Sequence, residues 1–291
     1  MHQYSFSKNN HLPNVFLIPT PIGNLEEIST RIINTLNECD VIYCEDTRET
    51  KKLLNFLNIN KKLKSLFKHN ELQKVEEFKN DLTIYKNVGI VSDKGTPLIS
   101  DPGYVLIKNL LKVCNFNLVP ISGPTAFVSA LIASGLPSDK FYFHGFIDKN
   151  NKNSEYDMLK TKKNTIIIYE SPNRIIKTLI KIKEEIGDVD VCVAKEITKI
   201  NEQFFRGLVS EVINYFNGDY YPNVSKGEYV IIIDNNLKHT HSKDISSDII
   251  DYAHFLIKEK SLSTKDVAEK LSDVFNVSKK EIYDQIIKTK K

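Results

Sequence analysis

The sequence predicts an α/β protein: two α/β domains, the first with a mostly parallel sheet and the second with a mixed one, then a small C-terminal helical bundle. Three observations predict it. In the first half, short apolar runs alternate with helical patterns about four times, which is how a parallel sheet covered on both faces reads. In the second module the alternation is less regular, so a mixed sheet is expected. After a polar stretch at 235–244, three helical patterns fill residues 245–291. The expected domains are therefore 13–122, 123–235 and 245–291.

The first strand is Val15–Ile18, ending in Pro19-Thr-Pro-Ile-Gly-Asn24. Ile28, Ile32 and Leu36 then recur at helical spacing. Val41–Cys44 is a second strand, ending at Glu45-Asp-Thr-Arg48, and a Lys-rich helix carrying Leu53, Leu54 and Leu57 follows it. Residues 71–80 read as helix and 88–91 as strand. Residues 92–103 hold two Pro and two Gly, and Tyr104–Val113 is helical. Asn117–Ile121 is a strand ending at Ser122-Gly-Pro-Thr-Ala126, and a helix of small residues runs to Ser134, stopped by Gly135.

In the second module Phe141–Phe146 is a strand and Asp148–Asn153 a polar linker. Strands follow at Thr165–Tyr169, Val189–Ala194, Gln203–Val209 and Gly227–Asp234. Pro172 suits a first helical turn. The last helices are Ile249–Ile257, Thr264–Phe275 and Ser278–Ile287. The last two have capped starts at Ser263 and Ser278, the latter with a capping-box Glu281. Three short helices in this span suit a helix-turn-helix-like bundle.

Several function classes are excluded. No apolar run approaches the ~18 residues of a membrane span, and Met1–Asn14 lacks the apolar core of a signal peptide. Cys39, Cys44, Cys114 and Cys192 form no C-x-x-C pair, so they read as reduced core residues of a cytoplasmic protein without zinc. The net charge of +3 says little about partners. Its distribution says more, since residues 51–68 hold six Lys and no acid. Neither G-x-G-x-x-G nor the P-loop signature occurs, and no Ser, His and Asp fall in a triad order.

The chemistry-bearing residues gather at strand ends, where ligands bind in open α/β sheets. The segment Ser92-Asp-Lys-Gly-Thr-Pro-Leu-Ile-Ser-Asp-Pro-Gly103 is the most distinctive. Pro97 and Pro102 fix φ while Gly95 and Gly103 permit values other residues avoid, so the loop is built to shape backbone groups around something. Thr20–Asn24 and Ser122–Ala126 repeat the device; each alone reads equally as a tight turn. Glu45-Asp46-Thr47-Arg48 reads as a helix cap with an ion pair or as a polar wall holding a substrate group. Glu170-Ser-Pro-Asn-Arg174, Lys195-Glu196 with Lys199, His69-Asn-Glu71 and Lys226-Gly-Glu228 carry the same ambiguity.

Taken in order, Pro19–Leu25, Glu45–Arg48, His69–Glu71, Val91–Tyr104, Gly123-Pro124, Gly135–Asp139, Tyr169–Ser171 and Lys226–Glu228 resemble the ribosomal RNA small-subunit methyltransferase I family of the tetrapyrrole methylase superfamily. The resemblance is collinear from about residue 13 to residue 234, and the terminal helices are similar to that family's C-terminal domain. It implies S-adenosylmethionine-dependent 2′-O-methylation of a cytidine in the decoding region of 16S rRNA in the small ribosomal subunit. It further implies a cytoplasmic homodimer, with no metal, no DNA and no membrane partner. Pro21, Gly23, Asp93, Gly95, Thr96, Pro97, Gly123, Pro124, Thr125, Ala126 and Tyr169 would then bind the cofactor. Asp46, Arg48, Glu170 and Glu196 would face the RNA as the catalytic set.

The chain departs from the family pattern in three places. Lys94 stands where Ala is common and Ser122 where Pro is common; both should spare cofactor binding, which backbone groups carry. Phe146-Ile147-Asp148 replaces Phe-Leu-Pro, and the loop after it holds fewer basic residues, which weakens the expected RNA contact there.

Transfer to a ribose hydroxyl requires a proton acceptor. Asp46 and Glu170 are the first candidates, Glu196 the third, and a buried Lys195 an alternative. Arg48 and Arg174 are candidates to clamp flanking phosphates. Lys51–Lys68 and the C-terminal bundle are candidate RNA surfaces. A small-molecule C-methyltransferase and a non-catalytic ribosome-assembly factor are the competing readings.

Overall fold

The computed structural model describes residues 11–148, 152–218, 224–235, 247–260, 262–275 and 279–289. The first sheet contains β1 (Asn14–Ile18), β2 (Val41–Cys44), β3 (Lys62–Ser65), β4 (Asn87–Val91) and β5 (Asn117–Pro120), in the order β3-β2-β4-β1-β5. Every pairing is parallel, with Phe16 between Gly89 and Val119. The strands between the edges are aliphatic because both faces are covered.

One face packs α1 (Thr30–Glu38) and α2 (Thr47–Phe56) over Phe16, Ile18, Ile42 and Val119. The other packs α3 (Lys74–Ile84) and α4 (Tyr104–Val113) over Val15, Val41, Tyr43 and Val88. In α1, Ser29 accepts the Ile32 N–H at 3.3 Å and caps the helix, so Ile32 and Leu36 point inward. Each is 1% exposed, and burying such a side chain stabilises by roughly 1.5–3 kcal/mol.

β3 corrects the sequence reading, which carried no strand there. Its Lys-Leu-Lys-Ser stretch lies at a sheet edge, where alternating Lys and Leu is tolerated and discourages further strand pairing. Lys64 reaches Asp81 at 2.6 Å and Glu77 at 3.0 Å. The Tyr43 hydroxyl donates to the same Asp81 at 2.8 Å.

After α5 (Ala126–Ser134), the second sheet holds β6 (Phe141–Phe146), β7 (Thr165–Glu170), β8 (Asp190–Lys195), β9 (Gln203–Leu208) and β10 (Tyr229–Ile233). Its order is β6-β7-β10-β8-β9; β6 runs parallel to β7 and the other pairs are antiparallel. The mixed sheet follows the irregular alternation of the sequence. Helices α6 (Lys152–Lys160), α7 (Ile175–Glu185) and α8 (Val209–Asn217) cover one face and α5 the other. Of the expected linker 148–153, residues 152 and 153 instead begin α6, and 149–151 lie outside the described residues.

By contacts the chain divides into two units, 1–236 and 237–291. The second is a bundle of α9 (Ser247–Lys260), α10 (Thr264–Phe275) and α11 (Lys279–Thr289), with its own core of Ile250, Ala253, Val267, Leu271, Ile282 and Ile286. Ser263 caps α10, accepting the Asp266 N–H at 3.1 Å. The expected cap at Ser278 and the linker residues 236–244 fall outside the described residues. Among those described, no helix is long and apolar enough to cross a membrane.

Candidate functional site

The loops leaving β1, β4 and β5 are tied into one wall. Thr20 and Gly95 exchange both backbone hydrogen bonds, at 2.9 and 3.0 Å. The Thr20 hydroxyl donates to the Ser92 carbonyl at 3.1 Å, and Ser92 Oγ to the Gly95 carbonyl at 2.8 Å. Thr96 Oγ1 donates to the Pro124 carbonyl at 2.9 Å and lies 2.7 Å from Thr125 Oγ1. The 92–103 loop is strained as well as tied: Leu98 and Ser100 hold φ of 71° and 65°, values that non-glycine residues rarely adopt.

This wall and the near edges of β7 and β10 enclose a cavity of about 370 Å³. Ile22, Ile99, Ala126, Ile197 and Val230 line it with apolar surface; Thr96, Thr125, Ser171, Asp101 and Glu228 supply polar groups. An apolar hollow with a few polar groups is the ordinary form of a small-molecule site.

Among the expected cofactor residues, Gly95, Thr96, Thr125, Ala126 and Tyr169 line this cavity. Tyr169 also accepts the Phe127 N–H at 3.2 Å, which ties β7 to the first turn of α5. Pro21, Gly23, Asp93, Pro97, Gly123 and Pro124 are not among its lining residues. A Cβ on Gly123 would lie 2.6 Å from Pro19 Cβ, so its bare backbone permits the β5 loop to approach the β1 loop. A Cβ on Gly23 would collide with Lys199 Cγ and lie 2.8 Å from Thr198 Oγ1, so Gly23 permits the 196–199 loop to close on the β1 loop.

The expected catalytic set is not brought together at the cavity. Asp46 caps α2, and Arg48 binds its carboxylate through Nε at 3.1 Å and Nη2 at 2.6 Å. The bonds from the Arg48 side chain and backbone hold that carboxyl down at about 2, which makes it a weak base. Glu170 is buried at the cavity edge with both oxygens occupied. Oε1 accepts the Ser171 N–H at 2.6 Å and Arg174 Nε at 2.7 Å, and Oε2 accepts the Thr178 hydroxyl at 2.6 Å. It is an internal anchor of the β7–α7 corner, and Arg174 is engaged with it rather than facing a phosphate. Glu196 is not itself a lining residue; its Oε1 accepts Lys199 Nζ at 2.7 Å and the N–H of the lining residue Glu228 at 2.9 Å. Lys195 is buried, its Nζ above the Tyr229 ring at 5.6 Å from the centroid.

Within His69-Asn70-Glu71, the last two residues are structural. The Asn70 side chain accepts the Phe67 N–H at 2.9 Å, and Glu71 caps α4 by accepting the N–H groups of Val105 and Leu106 at 2.8 and 3.1 Å. The basic stretch at 51–68 is partly spent as well. Lys64 is paired internally, and Lys61 donates to the Asn37 carbonyl at 2.6 Å; Lys51, Lys62 and Lys68 remain exposed.

Two charged features escaped the sequence reading. Asp101 lines the cavity, and burial followed by repulsion from Glu45 and Asp93 raises its carboxyl to about 7. The same acidic wall raises Glu45, chiefly by burial and then through Asp93 and Asp46. The second is an ionic chain. Glu228 binds Lys94 at 2.7 Å and Lys199 at 2.8 Å, and Lys199 continues to Glu196. Burial pushes Glu228 up, but the two ammoniums outweigh it and keep the carboxyl low. Both residues lie within motifs visible in the sequence, but only the fold sets their neighbours.

The sequence profile of the tetrapyrrole (corrin/porphyrin) methylases matches residues 14–213. The chain is 35% identical to the ribosomal RNA small subunit methyltransferase I of Bacillus subtilis (strain 168), over 97% of each chain. It is 43% identical to the protein of that name from Thermotoga maritima, over 69% of this chain and 91% of the relative. Its fold is similar to that of a crystal structure of diphthine synthase, with a TM-score of 0.59 at 10% identity, covering 76% of this chain and 89% of the other. It is also similar to uroporphyrin-III-C-methyltransferase from Thermus thermophilus, with a TM-score of 0.53 at 14% identity, covering 77% and 95%. The chain therefore belongs to the tetrapyrrole methylase family and, within it, to the ribosomal RNA small subunit methyltransferase I proteins.

Proposed function

We propose that this protein methylates a ribose 2′ oxygen of a cytidine in the decoding region of 16S rRNA, using S-adenosylmethionine. The observation that carries the reading is the cavity at the strand ends, lined by the Gly95–Thr96 and Thr125–Ala126 loops. Its donor set fits the cofactor: apolar surface at Ile22, Ile197 and Val230 for a purine, and hydroxyls at Thr96 and Thr125 for polar groups. Gly95, with φ of 80°, presents bare backbone at the same wall. When bound, S-adenosylmethionine supplies an already activated methyl group. The chain's own part is alignment, exclusion of water and removal of one proton.

Near-full-length identity to proteins named for ribosomal RNA small subunit methylation supports RNA as the acceptor. Exposed Lys51, Lys62 and Lys68 give an electrostatic surface for its backbone. The site of action is then the bacterial cytoplasm, where ribosomes assemble. The protein works as a homodimer in this reading, supported by Val128 and Ile132 standing exposed along α5. The domain boundaries 13–122, 123–235 and 245–291 belong to the same reading, supported by separate cores under each sheet and in the bundle.

The test is to map ribose methylation on small-subunit RNA from cells lacking this protein and to restore it with pure protein and labelled S-adenosylmethionine. One 2′-O-methyl group should vanish and return. An unaltered map, or no cofactor uptake by calorimetry, overturns the reading.

A further inference from the structure

Three carboxylate residues line the cavity, Asp101, Glu170 and Glu228. Two of them are committed. Glu170 is bound by Arg174, Ser171 and Thr178, and Glu228 by Lys94 and Lys199. Asp101 is the lining carboxylate that carries no ion pair among the described residues. Neighbouring acids on the same wall lie behind it: Asp93 accepts the Asp46 N–H at 3.0 Å, and Asp46 is held by Arg48.

We propose that Asp101 is the catalytic proton acceptor, removing the proton of the ribose hydroxyl that receives the methyl group. The assignment rests on the function proposed above. The O–H bond breaks toward Asp101, and its electron pair stays on the 2′ oxygen. That oxygen forms the new O–C bond while the methyl's bond to sulfur breaks with its pair left on sulfur. The proton resides on the Asp101 carboxyl and then passes to water, so charge and atoms balance.

Three features suit Asp101 to the task. First, it directly follows Ser100, whose φ of 65° is strained, so the loop aims this carboxyl instead of relaxing. Second, it is surrounded by groups that favour its neutral form. Glu45 at the end of β2 and Asp93 after β4 repel its charge, and burial adds to them; the Ser92 hydroxyl works the other way. Tyr169 faces it from β7 and is itself pushed up to about 12, chiefly by burial and in part by Asp101. A carboxyl so placed titrates near neutral pH, where a general base is most effective. Third, among the described residues no lysine or arginine forms an ion pair with it, unlike Asp46, Glu170, Glu196 and Glu228.

The experiment compares wild type, Asp101→Asn and Asp101→Glu, using small subunits from cells lacking the protein as acceptor and calorimetry with S-adenosylmethionine. For Asp101→Asn we expect cofactor affinity within about tenfold of wild type and a methylation rate lower by about 10²–10⁴-fold. The wild-type rate should rise through pH 7 and level off. That rise should survive, displaced, in Asp101→Glu and vanish in Asp101→Asn. Carboxyl NMR of the free protein supplies a readout apart from turnover: one resonance titrating near neutrality, absent in Asp101→Asn. Wild-type turnover by Asp101→Asn, retention of its pH rise, or loss of cofactor binding as the whole of its defect overturns the assignment. Failure of wild type itself to methylate a ribose oxygen overturns the function instead, so the two failures are distinguishable. Should Asp101→Asn not fold, an undisplaced pH rise in Asp101→Glu overturns the assignment by itself.

Discussion

Lys94 and Glu228 meet at 2.7 Å at the cavity, joining the loop after β4 to the residue that precedes β10. Both are lining residues, so this ion pair links the wall built from the first sheet to the wall built from the second. Lys199 completes the link by holding Glu228 and Glu196 together.

Replacing Lys94 separates two effects. The pair is about half exposed on each side, so Lys94→Ala should lower unfolding stability by less than about 1 kcal/mol. Glu228 keeps Lys199 and is not left as an unpaired charge. The cavity walls lose a tie, however, so S-adenosylmethionine should dissociate about three- to tenfold faster. Salt should speed dissociation from wild type and leave the variant nearly unchanged, because screening acts on the same pair. Urea melts and stopped-flow release at two ionic strengths check this; equal salt dependence in both proteins would rule out the tie.

Glu170 should behave as a structural residue. Its side chain is 1% exposed, and Arg174 and Thr178 depend on it. Glu170→Ala leaves the partly buried Arg174 guanidinium without its carboxylate and should cost about 3 kcal/mol. Glu170→Gln should cost less, since it still accepts the Arg174 bond. Urea denaturation gives both numbers. Catalytic loss at full stability in Glu170→Ala would return Glu170 to the chemistry.

The bends at the strand tips yield a prediction about packing. At Gly123 the added methyl of Gly123→Ala would meet Pro19 Cβ at 2.6 Å and Cγ at 2.8 Å, and a proline ring moves little. Overpacking of this kind costs about 1–3 kcal/mol. At Gly23 the obstacles are Lys199 Cγ and, at 2.8 Å, Thr198 Oγ1, side-chain atoms of one loop that can shift as a unit, so Gly23→Ala should cost less stability than Gly123→Ala and act mainly by pushing the 196–199 loop away and weakening cofactor binding. Thermal melts and calorimetry of the two variants should therefore rank oppositely. The same ranking in both measurements would contradict the distinction.

Why some of this was legible in the sequence and some not follows from where each signal resides. β1, β4 and β10 are aliphatic runs buried on both sides, and burial of that kind is written locally. β3 is not, because its Lys62 and Lys64 reflect an edge position and a partner, Asp81, that only the fold supplies. The Pro- and Gly-rich loops announce themselves as constrained. Yet Gly95 lines the cavity while Gly123 buttresses a neighbouring loop, and the sequence marks both alike. Glu170 and Asp46 stand out as acids beside arginines, and those arginines are what neutralise them. Asp101 has the opposite history. The Pro and Gly around it mark the loop but not the carboxyl; its character comes from burial and from Glu45 and Asp93, which the fold brings to its side.

That origin makes Asp101 visible in stability as well. Its carboxyl titrates at about 7 in the folded protein and near the ordinary value of 3.8 when unfolded. Between those limits the folded state holds the proton more tightly than the unfolded chain. Stability contributed by this group is therefore fully present below about pH 4 and is lost as pH rises through 7. The full linkage would be a little over ~4 kcal/mol, and because water partly reaches the carboxyl we expect roughly half of it, about 2 kcal/mol. Asp101→Asn cannot ionise, so it should be more stable than wild type by about that amount at pH 8 and no more stable at pH 4. Urea denaturation of the free protein at pH 4.5, 6 and 8 measures the difference directly. A gap between the two proteins that stays constant with pH, or widens toward acid, would mean that Asp101 is ionised throughout this range and that the acidic wall does not raise it.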